Sequence, residues 1–247
     1  MSERRWPTRL VGLGILAAFI AVAFVILSGP GYRFGVLPLG LSFRIVMAAA
    51  LIAVFAVVML IIGLLAKGAN GRMPRALIAL VLSGGIVAQL ASVYMTARSV
   101  PPIHDITTDT INPPQFDALL GARADAANPP EYAGEEAAKQ QAEAYPDIQP
   151  IDLPGVSPAD ALTAAEAAAR SIGLEAIVAQ PGKNLLEATD VTFWYGYKDD
   201  VVVRATATAN GTRLDIRSKS RVGTSDLGAN AKRIRALSEA IKAQTGG

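Results

Sequence analysis

The sequence contains no cysteine and only one histidine, His104. The missing cysteine excludes disulfide bonds, thiolate metal sites and a cysteine nucleophile. His104 has no second histidine or cysteine with which to share a metal, and we interpret it as a solvated linker residue rather than a catalytic base. The sequence also lacks a phosphate-binding glycine loop, a metal-ligand spacing and a nucleotide fingerprint. We therefore expect no cofactor and no metal site.

Acidic residues are almost missing from the first 100 residues, which carry nine Lys and Arg but one Glu. Residues 101–247 carry 14 Lys and Arg and 20 Asp and Glu. The overall net charge of +2 therefore conceals two unlike halves. Residues 196–247 are locally basic, but the acidic balance of residues 101–195 argues against nucleic acid as a partner.

Three long apolar runs occupy the basic half, at residues 10–27, 45–66 and 76–97, and none contains a charged residue. About 20 such residues are needed to cross the hydrocarbon of a bilayer. The sequence therefore predicts a three-helix transmembrane region over residues 1–98, with the lipid bilayer as a partner. Buried core helices of a soluble protein are the alternative, but they would need a larger chain around them.

The positions of Lys and Arg in the short flanking segments indicate the orientation of the helices. The N-terminus and the second loop carry three each, whereas the first loop carries two and the segment after the third run begins with one, Arg98. This bias predicts a cytoplasmic N-terminus in the inner (plasma) membrane. The C-terminal domain would then be periplasmic or otherwise extracytoplasmic.

The third run contains small and polar residues, namely Ser83, Gly84, Gly85, Gln89 and Ser92. Small residues let membrane helices approach closely, and a glutamine can bond across to a neighbouring helix. We favour packing among the three helices of one chain over dimerisation. No run contains an acid, a lysine or a histidine, which argues against a proton or ion pathway.

Residues 99–146 begin with three proline pairs, at 101–102, 113–114 and 129–130. Paired prolines favour an extended, stiff backbone. We predict a tether that lies along the domain, with a short helix over residues 115–123. Residues 131–144 are rich in Ala, Glu and Gln and predict a solvated helix.

Residues 147–247 predict a soluble α+β domain of order β-α-β-β-β-β-α, with an antiparallel sheet and its helices on one face. Ser157 and Pro158 are typical of a helix start, and Gly173 of its end. The predicted helices cover about 157–172 and 226–243, and the predicted strands cover 147–152, 174–179, 185–194, 201–209 and 212–220. Trp194, Tyr195 and Tyr197 lie near a predicted hairpin tip, where we favour core packing over a contact patch.

The pair Asn210-Gly211 is a strong signal for a two-residue hairpin turn. That turn would pair Ala209 with Thr212 and would place Arg204 directly opposite Arg217. One face of the hairpin would be apolar, with Val201, Val203, Ala205, Leu214 and Ile216. The other face would be a cationic surface of Arg204, Arg217, Lys219 and Arg221, partly neutralised by Asp190, Asp200 and Asp215.

Two interpretations of this surface compete. In the first, the arginines and aspartates only tie the strands together on a wet face. In the second, they bind an anionic envelope ligand, such as a phosphate or carboxylate, with Arg204, Arg217, Lys219, Arg221, Asp190 and Asp215 as the candidate binding residues. We favour the structural interpretation, because groups of ion pairs in proteins commonly stabilise the fold without binding a ligand. Docking of the Ala/Glu-rich segment on the basic face would also compete with a ligand.

Six segments of the chain carry recognisable motifs. They are NPPQF at 112–116, AYPDI at 144–148, EATD at 187–190, GYKDDVVVR at 196–204, DIRSKSRVG at 215–223 and DLGANAKRI at 226–234. Together these segments resemble the bacterial domain-of-unknown-function family 1499. The resemblance covers about residues 103–243, outside the predicted membrane helices. It implies no catalytic residue, because the family has no assigned activity.

Three functions remain open. The first is a non-enzymatic envelope protein that binds an anionic ligand or a membrane protein partner. The second is a hydrolase that uses Asp199 or Asp190 with Ser218 or Ser220, although Asp199 and Asp200 should point to opposite faces of a strand. The third is a membrane assembly factor whose helices do the binding. The sequence identifies no catalytic residue.

Overall fold

The structure is a computed structural model that describes residues 5–246. The chain divides into two compact units. One consists of Met1–Thr96 with Phe193–Gly196, and the other of Ala97–Thr192 with Tyr197–Gly247.

The first unit contains three helices that are long and apolar enough to cross a membrane. They are α1 (Trp6–Arg33), α2 (Leu39–Leu65) and α3 (Met73–Ser99). The three predicted helices are confirmed. Each helix begins before its predicted start. Helix α1 also continues through Pro30. Proline has no backbone N–H to donate, but the Pro30 carbonyl still accepts a helical hydrogen bond from Phe34 N at 3.0 Å.

Small residues allow α1 and α2 to pack closely. A Cβ atom on Gly14 of α1 would lie 2.6 Å from Leu60 of α2, and a Cβ atom on Gly63 would lie 2.8 Å from Val11. By contrast, α3 joins this core only through its first half, with Ala76, Ala79 and Leu80.

The small residues of α3 therefore divide into two groups. Ser83 is buried, and its hydroxyl donates to the Ala79 carbonyl at 2.7 Å. A Cβ atom added to Gly84 or Gly85 would meet no atom within 4 Å, and Gln89 and Ser92 are exposed. Packing within one chain is thus correct for Ser83 and wrong for Gln89 and Ser92, which are exposed and lie outside the core that α3 shares with α1 and α2.

The second unit is an antiparallel six-stranded sheet with helices on one face, which confirms the α+β prediction. Its elements are β1 (Asp105–Thr107), α4 (Glu135–Ala144), β2 (Ile151–Pro154), α5 (Pro158–Ser171), β3 (Glu175–Gln180), β4 (Leu185–Val191), β5 (Lys198–Thr208), β6 (Gly211–Ser220) and α6 (Ala229–Thr245). The strand order is β1-β6-β5-β4-β3, and β2 also pairs with β6. The short helix expected over residues 115–123 is reduced to a 3-10 turn, Gly121–Arg123.

The predicted register of the β5–β6 hairpin is wrong by two residues. Thr208 pairs with Gly211 and Arg204 with Asp215, so that no arginine lies opposite Arg217. The turn residues are 209 and 210, because Gly211 already belongs to β6 and pairs with Pro154 of β2. A Cβ atom on Gly211 would lie only 2.2 Å from the Leu153 carbonyl oxygen, so the close approach of β2 needs glycine there.

A shift of two residues keeps each side chain on its predicted face, since side chains alternate with a period of two. Val201, Val203, Ala205, Leu214 and Ile216 are indeed buried in the apolar core. This core also includes one side of α5 and one side of α6. Ser157 caps α5 as predicted, with its hydroxyl accepting from Asp160 N at 3.2 Å, and Gly173 follows the helix with a φ of +83°.

Candidate functional site

The face of the sheet opposite α5 and α6 carries ionised side chains, and most of them are shielded from solvent. We call it the polar face. It consists of Asp105 from β1, Glu187 and Thr189 from β4, Asp200 and Arg204 from β5, and Asp215, Arg217 and Lys219 from β6. Residues 108–134, which we call the strap, bond to this face at many points. As a result, Asp105, Glu187, Asp200 and Arg217 have no exposed surface.

Arg217 is the most completely enclosed cation of the polar face. Its Nε and Nη2 donate to the two carboxylate oxygens of Asp105, at 2.8 and 2.9 Å. The remaining donors reach strap carbonyls, Nη1 that of Pro114 at 3.1 Å and Nη2 that of Pro130 at 2.9 Å. The Phe116 ring centroid lies 5.1 Å from the guanidinium carbon. Each nitrogen atom of the Arg217 guanidinium therefore has at least one protein acceptor.

Lys219 shares the same carboxylate. Its Nζ donates to Asp105 Oδ2 at 3.0 Å and to the Glu131 carbonyl at 2.5 Å. Burial lowers the pKa of Lys219, and the charge and hydrogen bond of Asp105 oppose that shift. Asp105 was not among the predicted site residues, yet its carboxylate bonds to two of them.

A second buried carboxylate, Asp200, bonds to Arg221 and to a cation from the strap. Arg221 Nε and Nη2 donate to it in a bidentate pair, both at 2.8 Å, and Arg123 Nη1 donates at 2.5 Å. Thr189 adds a hydroxyl bond at 2.7 Å. Burial alone would raise the pKa of Asp200, but the hydrogen bonds of Arg221 and Thr189 and the charges of Arg221 and Arg123 outweigh it and lower the pKa.

Glu187 is a buried carboxylate held by backbone donors alone. It accepts from the N–H groups of residues 117, 118 and 119 at 2.8 to 3.0 Å. These groups begin the turn that leads into Gly121–Arg123, so the carboxylate caps the strap's only helical segment in the described chain. Glu187 thereby fixes the strap without using a cation.

The end of the polar face near the hairpin turn is more open. Arg204 donates to Asp215 at 2.9 Å and to the Asn112 carbonyl at 2.9 Å. Arg213 donates to the other oxygen of Asp215 at 3.0 Å, and both arginines lie 3.4 Å from Asp109. The side chains of Arg204 and Arg213 keep 23% and 39% of their surface exposed. Two cations thus face two carboxylates, and the local charge is balanced.

Asp190 does not belong to the polar face, and its predicted approach to Arg204 is wrong. Asp190 pairs with Asp199, which shares a face with Val201, so both acids lie on the side of the helices. Arg233 of α6 lies between them, donating to Asp190 from Nε at 3.1 Å and to Asp199 at 2.8 Å. Leu186 and Ala188 occupy the apolar face of β4, and Asp190 lies on that same face because it is two residues beyond Ala188.

The serines proposed for a hydrolase lie beside this arginine. Ser218 donates to Asn230 Oδ1 at 2.6 Å and accepts from Arg233 Nη1 at 3.0 Å, while Ser220 accepts from Asn230 Nδ2 at 3.1 Å. Neither serine has a carboxylate or imidazole as its hydrogen-bond partner among the described residues. The geometry therefore lacks the nucleophile–base pair that activates a serine.

Asp226, at the start of the last helix, has the one clearly raised carboxyl pKa of the described residues. Burial raises its pKa, the Asp199 charge adds to the rise, and donors at Gly228 N and Asn230 N partly oppose it. It caps the helix, at 2.8 Å from Gly228 N and 3.0 Å from Asn230 N. A groove of about 420 Å³ lies elsewhere, between Gly155 and Thr245.

Sequence reasoning missed Asp105, Arg123, Glu187 and Arg233, although each completes an ion pair or cap. The sequence did contain one signal for Arg123. It is the only lysine or arginine between Arg98 and Lys139, in a segment rich in acidic residues. His104 contributes its backbone carbonyl, which accepts from Ser220 N at 2.9 Å and from Asn230 Nδ2 at 3.1 Å. Within residues 5–246, no group of His, Asp and Glu has the geometry of a metal site.

A family model described as a protein of unknown function, DUF1499, matches residues 105–241. Neither a curated protein nor a solved structure matches the chain. The matched region contains all six strands and most of α6, and it includes both ends of the Asp105–Arg217 pair. Because the match covers more than half of the residues, the chain belongs to the DUF1499 family.

Proposed function

We propose that this chain is a non-enzymatic scaffold of the cell envelope that associates with a second copy of itself inside the membrane. The observation that carries this proposal is Gln89 in α3. Its side chain is exposed and has no hydrogen-bond partner among the described residues, in a helix long and apolar enough to span a bilayer. The charged side chains of the sheet already have protein partners, and so do Ser218 and Ser220, which leaves the membrane helices as the better candidate for binding.

Gln89 lies near the middle of α3, where lipid offers no hydrogen bonds. The central residue of Met73–Ser99 is Ile86, and a rise of about 1.5 Å per residue puts Gln89 only about 4.5 Å from it along the axis. The hydrocarbon core extends about 15 Å to each side of its midplane. An amide at that depth is costly unless a neighbouring helix supplies donors and acceptors.

A second copy is the partner that this face fits. Gly85, Gln89 and Ser92 are spaced i, i+4 and i+7, so they lie within about 60° of one another around the helix. Ala76, Ala79 and Ser83, which are buried, lie on roughly the opposite side. An amide both donates and accepts, so two Gln89 side chains related by a two-fold axis satisfy each other, and Gly85 lets the backbones approach.

The test is sedimentation equilibrium of the full-length protein in density-matched detergent micelles. We expect a monomer–dimer equilibrium, and we expect Gln89→Leu to weaken it roughly 3- to 30-fold, the effect of one interhelical hydrogen bond. Val87→Leu is the matched control, because residue 87 lies about 160° away around the helix. A monomeric wild-type protein, or equal dimerisation of wild type and Gln89→Leu, would refute the proposal.

The orientation that we propose has the N-terminus in the cytoplasm and the DUF1499 domain on the extracytoplasmic side of the plasma membrane. Its support is the excess of Lys and Arg before α1 and between α2 and α3. This arrangement would place a globular module outside the cell membrane while the helices make the contacts between copies.

An anionic ligand on the polar face is the second candidate function. The observation that favours it is the partial exposure of Arg204 and Arg213, in contrast to the enclosed Arg217 and Lys219. Asp109 and Asp215 already neutralise these two arginines, so a phosphate would have to displace a carboxylate. For that reason we rank this function below self-association.

A further inference from the structure

Three consecutive aromatic residues, Phe193, Trp194 and Tyr195, form the tip of the hairpin between β4 and β5. With Gly196 they constitute residues 193–196, which we call the aromatic tip. Core packing was expected for Trp194, Tyr195 and Tyr197. The two tyrosines are half-buried, but Trp194 is 39% exposed and the neighbouring Phe193 is 84% exposed. Exposing two large aromatic rings to water is unfavourable, so their setting needs an explanation.

The aromatic tip is in contact with the end of α1. The Trp194 ring packs against Gly29, where an added Cβ atom would lie 2.2 Å from the ring. The Tyr195 hydroxyl lies 3.4 Å from that of Ser28, and Arg33 donates to the Phe193 carbonyl. The Arg33 guanidinium lies 5.9 Å from the centroid of the Phe193 ring. The tip is thus fixed to the last turns of a candidate membrane helix.

This end of α1 has the composition of a bilayer boundary. The apolar run is followed by Tyr32, Arg33 and Phe34. The segment after α1 exposes Phe34 at 75% and Val36 at 72%. Aromatic side chains favour the headgroup level of a membrane, because they combine an apolar ring with a polar edge or a polar neighbour. Phe193, which contacts Arg33, and Phe34 and Val36, which follow α1 in the sequence, are thus exposed apolar residues near this end of the helix, and we call them the apolar rim.

We propose that the aromatic tip is an interfacial anchor, with the Phe193 ring among the upper acyl chains and the Trp194 ring at the headgroup level of the phospholipid bilayer. The partner is lipid, because the tip continues the surface of a membrane helix at its end. Arg33 beside Phe193 suits the depth of the lipid phosphates, where an arginine commonly extends from a helix end. A second copy of the chain or another protein would have to displace lipid from this rim.

The two tryptophans of the chain allow a direct test, since Trp6→Phe leaves Trp194 as the single tryptophan, which can be excited selectively at wavelengths that tyrosine does not absorb. The full-length variant is reconstituted into phosphatidylcholine–phosphatidylglycerol vesicles whose acyl chains are brominated either near the headgroup or near the terminal methyl. We expect headgroup-proximal bromine to quench Trp194 at least about twofold, and more than terminal bromine, as for residues of an aromatic belt. Phe193→Ser should reduce this quenching, and its unfolding temperature should stay unchanged because the ring is exposed.

Val178 provides the matched control, because it has the same exposed fraction as Trp194, 39%, on the outer strand β3. The control variant combines Trp6→Phe, Trp194→Phe and Val178→Trp. Equal quenching at residues 178 and 194 would indicate unspecific contact of the domain with lipid and would refute the anchor. Quenching of Trp194 by aqueous iodide but not by brominated lipid would also refute it. Protection from both quenchers would mean that protein covers the tip, which likewise contradicts the proposal.

Discussion

At the scale of single residues, Asp105 connects more of the structure than any sequence feature suggested. One carboxylate accepts from Arg217, Lys219 and Ala133 N, which belong to β6 and to the strap. All of its charged partners are buried, so no water replaces the bonds if the carboxylate is removed. The pair between Asp147 and Arg235 has similar distances, 2.5 and 2.8 Å, but its side chains are 54% and 40% exposed. A comparison of Asp105 with Asp147 therefore separates the effect of burial on the free energy of unfolding from the effect of the ion pair itself.

We predict that Asp105→Asn destabilises the domain by about 3–5 kcal/mol, because it leaves two buried cations without their counter-ion. The same change at Asp147 should cost at most about 1 kcal/mol, as is usual for exposed ion pairs. Denaturant unfolding of the full-length protein in detergent, followed by far-UV circular dichroism, measures both. Similar losses for the two variants would show that the buried network contributes no more than a surface pair.

At the scale of elements, the close approach of β2 to β6 decides where the hairpin turns. Gly211 has a φ of +148°, and its α-carbon faces the Leu153 carbonyl and the Gly155 amide. The Cβ atom of an alanine at residue 211 would lie 2.2 Å from the Leu153 carbonyl oxygen and 2.8 Å from the Gly155 amide nitrogen. Since both atoms are backbone, a rotamer change cannot relieve the clash.

Gly211→Ala should therefore destabilise the domain by more than about 1 kcal/mol, because both its φ and its surroundings disfavour a side chain. Gly182→Ala is the control, since a Cβ atom there has open space and Gly182 has no positive φ. We expect Gly182→Ala to change stability by no more than about 0.5 kcal/mol. Thermal unfolding of both variants compares them, and a Gly211→Ala protein as stable as wild type would contradict the proposed role of β2.

The elements also show which features the sequence predicts. The two faces of the hairpin were predicted correctly, because the alternation of side chains along a strand is unchanged by a shift of two residues. The register was predicted wrongly, because the contact with β2 places the turn at residues 209–210. The helix start at Ser157 was correct because capping is local. The burial of the polar face was missed because it depends on Asp105 and the strap, which lie about a hundred residues away in the sequence from Arg217.

At the scale of the whole molecule, the proposed orientation can be tested because the chain has no cysteine of its own. Ala69→Cys places a thiol between α2 and α3, and Lys139→Cys places one on the exposed side of α4. A membrane-impermeant maleimide applied to intact spheroplasts should label Lys139→Cys at once and Ala69→Cys only after permeabilisation, because the basic loops are retained inside. The reverse pattern would invert the orientation.

The position of β6 at the centre of three pairings has a consequence for biosynthesis. β1, β2 and β5 all precede β6 in the chain, and each pairs with it. Lys219 follows its partner Asp105 by 114 residues, which corresponds to roughly 6–23 s of translation at 5–20 residues per second. During that interval the strap cannot bind the polar face, because β6 has not yet been synthesised. The domain therefore leaves the ribosome as an unfolded polypeptide that is exposed to proteases until β6 has been synthesised.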